Sequence, residues 1–281
     1  MRYRYIVFIL YLLFHYLNTS ISRKKISRIG LLVSFSFELP KPHMKEILNA
    51  IRLNSKILPI HILLDGPHDD CTRMGFHCTY FGHNQPSYYD MITFAAKLPH
   101  DFVILSNADI LFDRSIYLSL QLREKQAYAI SWSGVNESMC LPETDPYCKQ
   151  KQTDWVLNCW PKRLYSIDSF VFRRHDIQGV TKDGFVEDKT GKEYVMNRPA
   201  AEFSFIGAMQ RQFNIDIRNA CRFIKSYHHH KSPKSYENWH LPPLVTKYGI
   251  YVPGTGTHKI VKKIIYNGSP KHDEFKLPIG A

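Results

Sequence analysis

Asp109 and the run His228-His229-His230 are the residues of this chain best suited to hold a hard divalent cation. Mg2+ and Mn2+ take carboxylate, water and phosphate oxygens, and Mn2+ accepts imidazole as well. Held between Asp109 and a histidine from a distant segment, such an ion would neutralise charge developing on a diphosphate leaving group. In an extended segment alternate side chains share a face, so His228 and His230 form the natural pair and His229 points the other way. A solvated histidine cluster is the plainer alternative. Two further carboxylates are candidates for proton transfer. Asp168 interrupts an apolar strand-like run, SIDSFVFR from Ser166 to Arg173, and acid–base chemistry exploits carboxylates in apolar surroundings. A structural ion pair with Arg173 or Arg174 would account for it equally. Glu202 stands at the start of a helical segment, where it is a rival base and where its charge also complements the helix dipole. Asp65, in Asp65-Gly66-Pro67, is placed to meet a ribose or base, or simply to close a turn.

Such side chains need rigid elements to present them. Asp101 to Asp113 reads DFVILSNADILFD: an apolar run, a turn at Ser106-Asn107-Ala108, then Asp109. A short continuous apolar run bounded by polar residues suits a strand buried on both faces of a parallel sheet, and open α/β sheets bind ligands at the carboxyl ends of such strands. Before it, Ile29 to Phe37 reads as a first strand. Met44, Ile47, Leu48 and Ile51 mark an amphipathic helix, and Pro59 to Leu64 a second strand. A short strand at Thr79 to Phe81 follows. Next comes a helix opened by Pro86, with Tyr88, Met91, Ile92, Ala95 and Leu98 on its apolar face. Ser115 to Glu124 reads as a helix, Tyr128 to Ser133 as a strand, Ala200 to Phe213 as a helix, and Arg222 to Tyr227 as strand-like. The alternation specifies an α/β fold with a mostly parallel central sheet flanked by helices. Gly134 to Arg163 has no periodicity and reads as a long, substrate-facing loop.

The chain has 281 residues and a net charge of +12, with its basic residues scattered and no basic stripe on any helix. That pattern argues against nucleic acid and suits an anionic small substrate or an anionic membrane surface. An apolar run from Tyr5 to Leu17 follows Arg2 and Arg4; it matches a signal-peptide core or a signal anchor and points to the secretory pathway. The sequons Asn136-Glu137-Ser138 and Asn267-Gly268-Ser269 agree with a lumenal or secreted location. Six cysteines then permit disulfides, with Cys71–Cys78 and Cys140–Cys148 as local pairs and Cys159 and Cys221 left over. No Walker, G-x-G-x-x-G, G-x-S-x-G or H-E-x-x-H motif is present.

Several blocks, in order, resemble glycosyltransferases of the nucleotide-diphospho-sugar transferase (GT-A) fold. These are SFSFELP, PSYYDMITFAAKL, DFVILSNADILFDRSI, YAISWSG, SIDSFVFR and IKSYHHHKSPKSY, spanning most of residues 29–236. The apolar leader sets residues 1–27 apart as signal peptide or signal anchor; the resemblance implies 28–240 as the glycosyltransferase domain and leaves 241–281 as a C-terminal extension. It implies a nucleotide-diphosphate sugar as donor and a hydroxyl acceptor on a glycan, glycoprotein or glycolipid, with Mn2+ or Mg2+. Asp109 is similar to the last acid of the family's D-x-D metal motif. Asn107 stands where its first acid does, so the motif here is N-A-D. His228 or His230 resembles the C-terminal metal histidine, and Asp168 the strand-borne acid near the acceptor, with Glu202 as its rival. Ser34, Phe35 and Asp65, with Asn107, are the implied nucleotide-side contacts. The resemblance places such a protein in the Golgi or ER membrane with a lumenal domain, or outside the cell if the leader is cleaved. A non-catalytic carbohydrate-binding protein on the same fold is the alternative, because of N-A-D.

Overall fold

The computed structural model describes residues 28–35, 41–65, 71, 75–82, 85–131, 167–187, 191–195, 201–220, 223–228, 250–251 and 260–261. Its strands are β1 (Ile29–Phe35), β2 (Ile60–Leu64), β3 (His77–Tyr80), β4 (Phe102–Ser106), β5 (Ile110–Phe112), β6 (Gln126–Ser131), β7 (Ile167–Arg173), β8 (Asp216–Asn219) and β9 (Ser226–His228). A further antiparallel pair, β10 (Ile250–Tyr251) and β11 (Ile260–Val261), lies in the C-terminal region. The helices are α1 (Lys41–Asn54), α2 (Tyr88–Ala95) and α3 (Ala201–Phe213), with a 3-10 helix at Arg114–Gln121.

Seven strands form the central sheet in the order β3-β2-β1-β4-β7-β6-β8. All pairings are parallel except those of β7, which runs against both β4 and β6. The α/β fold with a mostly parallel sheet is therefore the one the alternating pattern specifies. Every residue of β4 is buried. Its alternate side chains feed two cores: Val103 and Leu105 join Leu32, Phe170 and helices α2 and α3 on one face, while Ile104 joins Leu31, Val33, Val171 and helix α1 on the other. A strand sandwiched in this way must be apolar throughout, which is why it reads as a continuous run.

Two local readings are corrected, and one strand escaped the pattern. Pro86 does not open α2. Ser87 caps it, accepting from the Asp90 N–H (3.1 Å) while the Asp90 carboxylate accepts from the Ser87 N–H (2.9 Å). That reciprocal box satisfies two of the free N–H groups of the first turn and outweighs the proline preference. The Ser115–Glu124 segment is a 3-10 helix over Arg114–Gln121, capped by the Asp113 side chain. Its buried positions Ile116, Ser119 and Leu122 repeat every three residues, the period of a 3-10 helix. Strand β8 (DIRN) is not legible, because an edge strand with only Ile217 buried has no apolar pattern to read.

Cys71 and Cys78 form the expected disulfide, closing the loop that leads into edge strand β3. Cys140, Cys148, Cys159 and Cys221 lie outside the described residues, as do both sequons and residues 1–27. Among the described residues no helix is long and apolar enough to cross a membrane.

Near the amino ends of the strands, His100 lies over Gly30 and its Nε2 is 2.8 Å from the Nε2 of His61, whose ring stacks on His77. Burial, then the neighbouring His100 and His77, push His61 down to about 4, so it stays neutral at physiological pH. Gly30 is required here by space: a Cβ at this position would sit 2.1 Å from the His100 ring. Gly30→Ala should therefore destabilise the fold by about 1–3 kcal/mol in denaturant unfolding, the usual range for overpacking. A change below a few tenths of a kcal/mol would mean that the His100 ring is free to move.

Candidate functional site

The site is built where β4 ends. Ser106 is the last residue of the strand, and its hydroxyl meets that of Ser169 on β7 at 2.7 Å, both side chains being buried. One step further the backbone N–H of Asn107 donates to the Asp168 carbonyl (2.9 Å), so the β4–β7 ladder extends by one bond past the strand. The Asn107 side chain then donates from Nδ2 to Oδ1 of Asp168 (3.0 Å). Asn107 thus orients the candidate base directly. An aspartate in its place would set a second carboxylate against Asp168, and like charges at that spacing cannot both ionise without penalty. The asparagine of N-A-D has a structural reason of its own.

The chain turns over Asn107 to Ile110, where the Ile110 N–H reaches the Asn107 carbonyl, and enters β5. β5 pairs with β9, and in that antiparallel register Ile110 lies opposite His228. The consequence is that Asp109 and His228 meet: Oδ2 and Nε2 are 3.1 Å apart, with side chains only 13% and 11% exposed. The register of β9 is supported from the 3-10 helix, where the Ser115 hydroxyl accepts from the Lys225 N–H (2.7 Å). Residues separated by more than a hundred positions are brought to one point by two three-residue strands.

Behind Asp168 lies a polar patch inside the aromatic core. Glu202 is in the first turn of α3. Part of the residue remains accessible but its carboxyl end is enclosed. That burial pushes it up to about 8; a hydrogen bond to its own backbone opposes the rise and the Asp168 charge adds to it. Glu202 is therefore largely a neutral acid at physiological pH and a poor base there. Tyr88, fully buried against Phe170, Phe205 and Tyr194, is raised well above its ordinary range by burial first and then by Glu202, Tyr194 and Asp168. Its hydroxyl has no hydrogen-bond partner among the described residues.

Of the residues singled out from the sequence, Asn107 pairs with Asp168 and Asp109 with His228, both pairs following the end of β4, and Glu202 lies within electrostatic reach of Asp168. Ser34 is half-buried near the carboxyl end of β1, the strand beside β4. The Phe35 side chain is 4% exposed and belongs to the core, so it is not available as a ligand contact. Asp65 follows the end of β2, one strand further out, and is half-buried. Arg174, offered as an ion-pair partner of Asp168, instead donates to the His100 carbonyl (2.9 Å), beside the start of β4. His230 lies outside the described residues. A groove of about 470 Å3 between the end of α1 and β3 is lined by Ile60 and His77, the first residues of β2 and β3. It is therefore at the amino ends of the strands and apart from Asp109.

Among the described residues no group of three metal-ligating side chains forms. At this point the described residues bring together two: the Asp109 carboxylate and the His228 imidazole. That mixed oxygen–nitrogen set fits Mn2+ better than Mg2+, with remaining positions left to water and substrate oxygens. Two residues escaped the sequence reading. Asn54 is a buried polar side chain on the α1 stripe that carries Ile47 and Ile51, and its position seven residues after Ile47 was the available signal. The burial of the Tyr88 hydroxyl beside Glu202 and Asp168 had no signal, because an apolar helix face accepts tyrosine as readily as phenylalanine.

No family model matches the chain, and no curated protein matches it either. Solved structures do. A mannosyltransferase from Pyrobaculum calidifontis in complex with GDP-Man and Mn2+ matches at 11% identity and a TM-score of 0.42, over 75% of this chain and 59% of that one. A Bacillus anthracis protein identified as a glucose-1-phosphate thymidylyltransferase, in complex with sucrose, matches at 11% identity and a TM-score of 0.32, over 55% and 76%. The glycosyltransferase GlyE of Streptococcus pneumoniae matches at 9% identity and a TM-score of 0.29, over 79% and 58%. The chain spans about three-fifths of the length of the mannosyltransferase and of GlyE.

The Glu202 carboxyl gives a signed prediction. A folded value of about 8 against an ordinary 4.5 means that the contribution of this group to stability is complete below the lower value and is lost as pH rises through the upper one. Glu202→Gln should remove that dependence: the variant matches the native protein in acid and is the more stable of the two above about pH 8. Thermal unfolding across this range checks it, and parallel profiles would place the Glu202 carboxyl in water.

Proposed function

We propose that the protein is a glycosyltransferase, moving a sugar from a nucleotide-diphosphate donor to a hydroxyl on a glycan, glycoprotein or glycolipid. The observation that carries this reading is that the Asp109–His228 pair and the Asn107-held Asp168 both stand at the carboxyl end of β4, Asp168 on the neighbouring strand β7. A cation-binding pair and a buried, oriented carboxylate at one strand end are the two tools that sugar transfer from a diphosphate needs. When bound, a divalent metal would neutralise the diphosphate leaving group. Asp109 and His228 would hold it. Ser34, the backbone at Phe35 and Asp65 would face the nucleotide from the neighbouring strand ends. Asp168 would take the proton of the acceptor hydroxyl, its orientation set by Asn107. The N-terminal apolar segment and the sequons support a place in the secretory pathway, in the Golgi or ER membrane with the domain in the lumen, or outside the cell.

A panel of nucleotide sugars, with donor hydrolysis and transfer followed with and without Mn2+, tests the reading. One donor should turn over in a Mn2+-dependent way. Asp109→Ala should abolish the metal dependence, and Asp168→Asn should lower transfer by ~10^2–10^4-fold while donor still binds, the range for loss of a general base. Full activity in Asp109→Ala would refute the assignment. Donor binding without any turnover would instead favour a carbohydrate-binding protein on this fold.

A further inference from the structure

The Asp109–His228 pair depends on a strand whose three residues are buried, Ile110 and Phe112 in the core beside α1, but whose only strand partner is equally short. β5 has three residues, and so does its partner β9. These two make a sheet of their own, separate from the central seven strands. A two-stranded ribbon of that length is not stable in water by itself. Yet its register decides whether Ile110 sits opposite His228, and so whether the preceding residue, Asp109, reaches the imidazole.

The second edge of β5 is occupied by a single side chain. Asn54, the last residue of α1, is 1% exposed. Its Nδ2 donates to the Ile110 carbonyl (2.7 Å), and its Oδ1 accepts from the Phe112 N–H (3.0 Å). In a strand the carbonyl of one residue and the N–H of the residue two further on point to the same edge, with the intervening residue facing the other way. The Asn54 carboxamide therefore stands where the peptide group of a neighbouring strand would be. It turns a two-stranded ribbon into a strand held on both edges and anchors it to α1, which packs on the central sheet. A carboxamide can do this because it carries a donor and an acceptor in one plane; a carboxylate offers only acceptors, and an aliphatic side chain offers neither.

We infer that Asn54 is the positioning residue of the candidate cation site: through β5 it sets the register that brings Asp109 against His228. It touches neither side chain of the pair. The inference rests on the reading of that pair as a cation site only for its functional consequence; the positioning itself is a separate claim. It predicts that loss of the carboxamide loosens the pair before it unfolds the domain.

The test uses the full chain as four proteins: native, Asn54→Leu, Asp109→Ala, and Ile177→Ala as a control. Ile177 is fully buried in the core on the opposite face of the sheet, so its truncation destabilises without touching β5. Three properties are measured: thermal stability, the ring-nitrogen NMR signal of His228, and Mn2+ affinity with the metal alone. Asn54→Leu should move the His228 signal toward its position in Asp109→Ala. It should also weaken Mn2+ binding by about tenfold or more, the range for loss of groups that orient metal ligands. Ile177→Ala should do neither, even at an equal or greater loss of stability. A native His228 signal in Asn54→Leu would overturn the inference, as would the same displacement in Ile177→Ala. If the native protein itself binds no Mn2+, the metal reading falls, while the His228 signal still decides whether Asn54 positions the pair.

Discussion

Everything in the site depends on the turn that follows β4, and on its being pinned from outside. A parallel sheet supplies a strand end for nothing, but a strand end does not fix the residues beyond it. Here the antiparallel neighbour β7 extends its ladder by one bond to Asn107 and then receives the Asn107 side chain on Asp168. The next three residues are carried into β5, whose two edges are closed by β9 and by Asn54. A loop with free ends would lose the pairing of Asp109 and His228 to conformational entropy, at roughly 1–2 kcal/mol for each residue that had to be ordered. The bonds just named do that ordering in advance, so the two side chains are already together.

The electrostatics of the site follow from its burial. Asp109, His228 and Asp168 all lie in largely desolvated positions, where an isolated charge is costly. Each is matched by a group suited to it. Asp109 has an imidazole beside it, and Asp168 has an amide donor. Glu202 avoids the cost by staying protonated. The asparagine of N-A-D belongs to this balance. Read as a lost ligand it suggests a degraded metal motif; read beside Asp168 it is the donor that fixes a buried carboxylate in direction.

Much of this was legible in the residues. The continuous apolar run of β4 specified a doubly covered strand, and the turn after it placed Asp109 at its end. The period-2 argument singled out His228 as one of a pair, and the polar interruption of an apolar strand singled out Asp168. What could not be read was anything decided by a partner far away in the chain. The carboxylic acid character of Glu202 depends on enclosure among side chains from other elements, which its helix-start position disguises as a dipole effect. Edge strand β8 has no pattern because one face of it is solvated. Asn54 was readable only as an anomaly, a polar residue on an apolar stripe, and its partners lie on backbone atoms that no side-chain pattern records. Ser115–Glu124 misled because the three-residue spacing of Ile116, Ser119 and Leu122 overlaps with the helical spacing that a short window cannot separate.

The central claim is that Asp109 and His228 form one half of a cation site whose other half is a diphosphate. A crystal of the full chain soaked with Mn2+ and a nucleoside diphosphate, with the ion located by its anomalous scattering, tests it most directly. One ion is expected, bonded to both an Asp109 carboxylate oxygen and the His228 Nε2, with diphosphate oxygens completing its shell. An ion bound elsewhere, with Asp109 and His228 still joined to each other, would contradict it.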